Sequence, residues 1–184
     1  STETEEDTII SAMAISQVIQ ASKEAVPKNI TQLSKFIFSA LQIDHICAKD
    51  VALDIIKEIA TLFEEGKSDI SSQFMEPIIG LLDCDQPELI RHALSTLKKL
   101  LKCTDIDTNL IGPTLQILAK LLESEGILTA HVFDVISALV FSAGDDVAPF
   151  VEDLYPLVIQ TSSISEEDDP ILKANSIEAL SNII

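Results

Sequence analysis

The chain contains no tryptophan, one tyrosine and only five glycines, and aromatic residues make up 4% of its 184 positions. Sandwiches and barrels draw on aromatic strands and glycine-rich turns, so this shortage argues against both. Cysteine is scarce as well. Cys47, Cys84 and Cys103 are widely spaced, odd in number and free of any CxxC pairing. A disulfide framework is therefore not expected, and a reducing compartment is. Positive charge is also short, with 12 Lys and Arg against 30 Asp and Glu, a formal charge of −18. Binding to phosphate backbones or anionic membranes draws on basic side chains, so neither nucleic acid nor a membrane is an expected partner. No uninterrupted apolar run reaches the ~18 residues a membrane span needs. The acidic N-terminus is the reverse of a secretory n-region. The expected setting is the cytoplasm and nucleus.

What is abundant is aliphatic. Apolar residues reach 47%, mostly Leu, Ile and Ala, which suits packed helices. Residues 1–7 (STETEED) read as an acidic lead-in, frayed and solvated. From residue 8 the helical period takes over. Ile9, Ile10, Met13, Ile15, Val18 and Ile19 recur at three and four residues. Pro27 is expected to end that helix, and Asn29 with Gln32 to open the next as a capping box. Leu33, Phe36, Ile37, Ala40 and Leu41 give its buried stripe, and Val51, Ala52, Ile55, Ile56, Ile59 and Leu62 give that of the following helix. The same two-helix unit then repeats: 68–82 with 86–103, 109–122 with 127–143, and 147–160 with 171–184.

Proline and acid recur at matching places. Pro77, Pro113 and Pro156 each fall in a first helix, 36 and 43 residues apart. These intervals lie around the ~40–47-residue period of HEAT and armadillo units. A proline in a helix interior removes one hydrogen bond, so a built-in bend is expected at each. Second helices open from an acid or proline, then a basic residue, then small and aliphatic residues. One reads Asp85-Gln86-Pro87-Glu88-Leu89-Ile90-Arg91-His92-Ala93, and another Asp169-Pro170-Ile171-Leu172-Lys173-Ala174. The Asp is expected to cap, the Pro to fit the first turn and the Ala to admit a close neighbour. Arg or Lys is expected to bond an Asp of the adjacent unit, making a ladder.

These segments resemble the second helix of HEAT repeats, where Asp, Pro and Arg follow in this order. The resemblance runs from about Asp7 to the end and implies an all-α, α-α superhelix, a HEAT/armadillo-type solenoid of about four and a half helical pairs. A narrower likeness lies in Ala143-Gly144-Asp145-Asp146-Val147-Ala148-Pro149-Phe150-Val151-Glu152-Asp153-Leu154. This phrase, with the acidic loop Ser165 to Asp169, is similar to importin-β-type transport receptors (the karyopherin superfamily). TOR-type kinase helical regions, the phosphatase scaffold subunit and cullin-associated scaffolds carry similar phrases. Leu180, Ile183 and Ile184 are apolar without a polar cap, so residues 8–184 are expected to be a piece of a longer solenoid that packs on neighbouring repeats.

Little in the chain points to catalysis or metal binding. His45, His92 and His131 are scattered, and no tetrahedral set can be assembled around His45 and Cys47. Asp105-Ile106-Asp107-Thr108-Asn109 opens like a calcium loop, but Leu110 and Gln116 stand where Gly and Glu are required. A turn that caps the following helix explains it better. No Gly-x-Ser-x-Gly and no glycine-rich phosphate loop occurs. No enzyme activity, cofactor or metal is expected.

The remaining feature is where the acids fall. They gather in turns, and stacked repeats place equivalent turns on one edge, so a linear cluster becomes a ridge. Asp83, Asp85 and Glu88, then Asp145 and Asp146, then Glu166, Glu167, Asp168 and Asp169, and the helical Glu178 are the candidate partner-binding residues. Turns within pairs are expected on the edge opposite turns between pairs. Such ridges can steer a Lys/Arg-rich protein segment. The transport-receptor resemblance adds basic cargo and the small GTPase Ran as expected partners. The scaffold resemblance implies instead that the acids only solubilise. A tubulin-binding array of the TOG type fits less well, because tubulin is acidic and this chain offers no basic turn edge.

Overall fold

In a computed structural model of the chain, the described residues are 2–21, 26–62, 72–123, 128–162, 174, 177–179 and 181. Every regular element among them is a helix. They are α1 (Thr2–Ala21), α2 (Val26–Gln42), α3 (Ile46–Leu62), α4 (Met75–Leu81), α5 (Pro87–Cys103), α6 (Thr108–Glu123), α7 (Thr129–Ala143), a 3-10 helix (Gly144–Phe150) and α8 (Val151–Ser162). None is long and apolar enough to cross a membrane.

Helices α2 and α3, α4 and α5, and α6 and α7 pack as consecutive pairs. The second members also pack on one another in order: α1 on α3, α3 on α5, α5 on α7. On the other layer α6 meets α8, and the ring of Phe38 in α2 lies 5.4 Å from that of Phe74, just before α4. Gln73 Nε2 donates to Ser34 Oγ across the same junction at 3.2 Å. The layers enclose one continuous apolar core. Ile55, Ile56 and Ile59 of α3, Leu94, Leu97 and Leu100 of α5, and Phe133, Val135 and Ile136 of α7 are fully buried. Each such side chain contributes about 1.5–3 kcal/mol relative to exposure. Ala52 and Ala93 are also fully buried, as expected of small residues that let helix axes approach. Buried hydroxyls find partners on their own helices: Thr96 donates to His92 O at 2.9 Å and Thr114 to Leu110 O at 2.6 Å.

Several local expectations are corrected. Helix α1 reaches back to Thr2 through the acidic stretch expected to fray. Acids are favourable in a first turn, where they oppose the positive end of the helix dipole. The apolar stripe of α1 is only half covered. Ile19 is buried, but Ile10 is 65% exposed, and Met13 and Val18 are exposed too. This helix packs chiefly on α3 and, less, on α2. Pro27 does not end α1; it sits in the first turn of α2, where a missing N–H costs nothing. Asn29 is accordingly inside α2 rather than at its cap.

The first helix expected over 68–82 is described as α4 alone, with turns at Gln73 and Phe74 before it. Pro77 thus falls in the first turn of α4, and the break at Gln73 and Phe74, between helical Ser72 and α4, lies one turn before it. Pro113 and Pro156 do lie inside their helices, each at the sixth residue. Asp85 does not cap α5: the cap position is Gln86, without a side-chain bond, and Pro87 is the first helical residue. Asp107 does cap, accepting the N–H of Asn109 at 2.9 Å. His45 serves a similar end, its Nδ1 accepting the N–H of Cys47 at 3.2 Å at the start of α3.

Candidate interaction surfaces

The helix pairs hold α3, α5 and α7 side by side, so one face of the molecule is written by the polar stripes of second helices. On α3 that stripe is Asp50, Asp54, Lys57 and Thr61; on α5 it is Glu88, Arg91, His92, Ser95, Lys98, Lys99 and Lys102. The spacing of three and four residues keeps them on the side away from the core. Charge along the two groove-lining stripes follows one order, although Lys49 and Glu58 of α3 run against it. Acids lie toward the N-termini and lysines toward the C-termini, each sign opposing the local helix dipole.

Two grooves result. The first holds about 430 Å³ and is lined by Asp50, Asp54, Lys57, Glu88, Arg91, His92, Ser95 and His131. His92 sits between two carboxylates, with Nδ1 3.1 Å from Asp50 Oδ1 and Nε2 3.1 Å from Asp54 Oδ1. Only the doubly protonated ring can donate to both. Arg91 turns instead to Glu88 of its own helix, Nε to Oε2 at 3.1 Å. The expected bond from Arg or Lys to an Asp of the adjacent unit is made by Lys98, 2.8 Å from Asp134 of α7, whereas α3 is reached by His92 rather than Arg91. The second groove, about 320 Å³, is lined by Lys57, Thr61, Ser95, Lys98, Lys99 and Lys102.

Lys57 is held below the ordinary lysine value. Burial penalises its ammonium first; Asp54 opposes that shift, and Arg91 adds to it. The unfolded chain then binds this proton more readily than the folded one. From this group, stability rises with pH between the lowered folded value and the ordinary value of 10.5. Below that window the cost is fully present. Lys57→Met should therefore raise the melting temperature at pH 7, with the gain shrinking as pH approaches 10.5. Thermal melts of both proteins at the two pH values check this. A gain that is the same at both would rule out charge burial as its cause.

The acids singled out in the sequence divide between edges. Asp83 and Asp85 are exposed in the turn between α4 and α5, and Glu88 is exposed in the first turn of α5. Asp145 and Asp146 are exposed at the start of the 3-10 helix that follows α7. Thr108 Oγ1 donates to Asp146 Oδ2 at 3.1 Å, and Ser142 Oγ donates to Thr104 O at 3.3 Å. These bonds bring the two between-pair turns together on the edge where α5 and α7 end. Asp83 and Asp85 lie where α5 begins, on the opposite edge. Glu178 is exposed. Glu166, Glu167, Asp168 and Asp169 lie outside the described residues.

Sequence reasoning overlooked Asp50, Asp54, His92 and the four lysines as surface groups. Their signal was the polar period of the second helices, at 50, 54, 57 and 61 and at 88, 91, 95, 98 and 102. Among the described residues no three His, Cys, Asp or Glu side chains are placed to hold a metal ion. Cys47 is exposed, Cys84 half-buried and Cys103 buried, all as free thiols. No family model matches this sequence, and no curated protein matches it either.

Proposed function

We propose that the chain is a non-enzymatic protein-interaction module, a HEAT-type solenoid segment whose acidic turns engage Lys/Arg-rich protein segments. The observation that carries this reading is the ordered packing of α1, α3, α5 and α7, which leaves charged stripes and turns outside a dry core. The likeness of residues 143–154 to transport receptors puts basic cargo and the GTPase Ran first among partners, and the cytoplasm and nucleus first among locations. A scaffold segment of a large assembly, of the TOR-type kinase, cullin-associated or phosphatase kind, is the alternative.

The edge formed by Asp83, Asp85 and Glu88 is the first place to test. A Lys/Arg-rich peptide should bind the chain at low salt and lose affinity steeply toward physiological salt. Changing all three acids to Lys should weaken it about tenfold or more, since each desolvated or steered charge pair contributes up to about 1 kcal/mol and the new lysines repel. Titration calorimetry at two salt concentrations measures both. No binding at low salt, or binding unchanged in the triple variant, would remove this edge as a docking site. A pull-down with GTP-loaded Ran separates the transport reading from the scaffold one.

A further inference from the structure

The chain has 12 basic residues, and four of them, Lys57, Lys98, Lys99 and Lys102, line one groove between α3 and α5. In a chain of net charge −18 this concentration is the reverse of what solubility alone requires. The groove is walled by hydroxyls as well as lysines: Thr61 on α3 and Ser95 on α5. Among the described residues no carboxylate lines it. Lys98 is turned to Asp134 of α7. Lys57 is partly buried, and Asp54 is the carboxylate that acts on its ammonium. Lys102 is exposed.

We infer that this groove binds a short acidic segment of a partner protein, with Asp or Glu carboxylates seated between Lys57 and Lys102. The inference rests on the reading of the chain as a protein-binding module, but uses a surface of the opposite sign. The size of the basic patch limits the ligand. Asp54 and Glu88 stand toward its head and Asp134 beside it. A few carboxylates can sit on the lysines without meeting those acids. A long polyanion such as single-stranded DNA would extend over them and over the acidic turns. The hydroxyl of Ser95 can donate to the same carboxylates, whereas that of Thr61 already donates to Lys57 O at 2.9 Å.

Burial gives Lys57 a second part in this. Its ammonium is partly desolvated, so its folded-state value lies below the ordinary one. A carboxylate placed against it raises that value again.

The test is fluorescence anisotropy with a dye-labelled hexaglutamate peptide and the full chain at low salt. Binding is expected. The double variant Lys57→Gln with Lys102→Gln should weaken it about tenfold, as loss of two partly solvated charge pairs implies. Lys57→Arg with Lys102→Arg should keep most of the affinity. A charge-matched control, Lys28→Gln with Lys120→Gln, changes exposed lysines of α2 and α6 and should bind as the parent does. Circular dichroism shows whether each variant keeps its helices. Absence of hexaglutamate binding overturns the inference, and so does equal weakening in the groove and control variants. Tighter binding of a single-stranded DNA 20-mer than of the peptide also overturns it, because the groove would then serve a nucleic acid. The Lys/Arg-rich peptide is run in parallel on the same proteins. If it fails while hexaglutamate binds, the acidic-edge function falls and the groove stands; if it binds while hexaglutamate fails, the reverse holds.

Discussion

Phe133→Ala should destabilise the chain by about 3–5 kcal/mol, the largest loss expected from any single change considered. The ring is fully buried in α7, the helix that packs on both α5 and α6. Removing it takes away the transfer free energy of the ring and leaves a cavity, because the surrounding helices relax only partly. For a chain of this length each kcal/mol shifts the melting temperature by about 2–4 °C. A fall of roughly 6–20 °C is therefore expected. Phe141 supplies the control on the same helix. It is 80% exposed, so Phe141→Ala should move stability by no more than about 0.5 kcal/mol. Chemical denaturation of the two variants reads both values. Equal effects would mean that α7 presents a different face to the core.

Gly144→Ala should cost about 1–3 kcal/mol for a reason that has nothing to do with crowding. Gly144 closes α7 at φ 53° and ψ −129°, a combination that L side chains rarely adopt. A Cβ built there meets nothing within 4 Å. The cost is thus pure backbone strain. It falls on the turn that carries Asp145 and Asp146, and that turn is tied to Thr108. Gly80 isolates the variable. It lies in α4, a Cβ there also meets nothing within 4 Å, and its φ is not positive. Gly80→Ala should instead stabilise by about 0.5–1 kcal/mol, through helix propensity and a less flexible unfolded chain. Gly112 differs from both. A Cβ on it would lie 3.1 Å from Phe150 Cε1, so glycine there lets the 3-10 helix seat its ring on α6. Opposite signs for Gly144→Ala and Gly80→Ala in denaturant titrations are the expected result.

The sequence was most legible where apolar residues recur at helical spacing and are covered on the far side. The spacing of Leu89, Ile90, Ala93, Leu94, Leu97, Leu100 and Leu101 predicts the inner stripe of one helix, and all are buried. The same reading overstated α1. Ile10, Met13 and Val18 share that spacing but remain exposed, because periodicity shows which face is apolar, not whether anything covers it. Proline was misleading for a related reason. Pro27, Pro77 and Pro113 look alike in the chain, but two of them fall in first turns and one inside a helix. A shift of three residues in a helix start decides between harmless and disruptive.

The site was less legible than the core. The turn acids were found because they cluster in sequence. Asp50, Asp54 and His92 were not, because they come from helices 42 residues apart and meet only through packing. The lysine groove stayed hidden behind the net charge. A total of −18 describes the average surface and says nothing of where 12 basic groups gather. Reading the polar period of α5 as carefully as its apolar one would have placed Lys98 and Lys102 on one face, a turn apart.

The second helices lie side by side in chain order, so that α1 and α7 are separated by both α3 and α5. Spin labels at Gln17→Cys in α1 and Phe141→Cys in α7, with Cys47 and Cys84 replaced by Ser, report this directly. All four positions are at least partly exposed. Neighbouring helix axes lie about 8–10 Å apart, so three successive steps place α1 and α7 roughly 24–30 Å apart. A pulsed electron-spin distance distribution centred at or beyond that range is the expected result. A distribution near the ~10 Å of directly packed helices would mean that the chain closes on itself, and it would contradict the account.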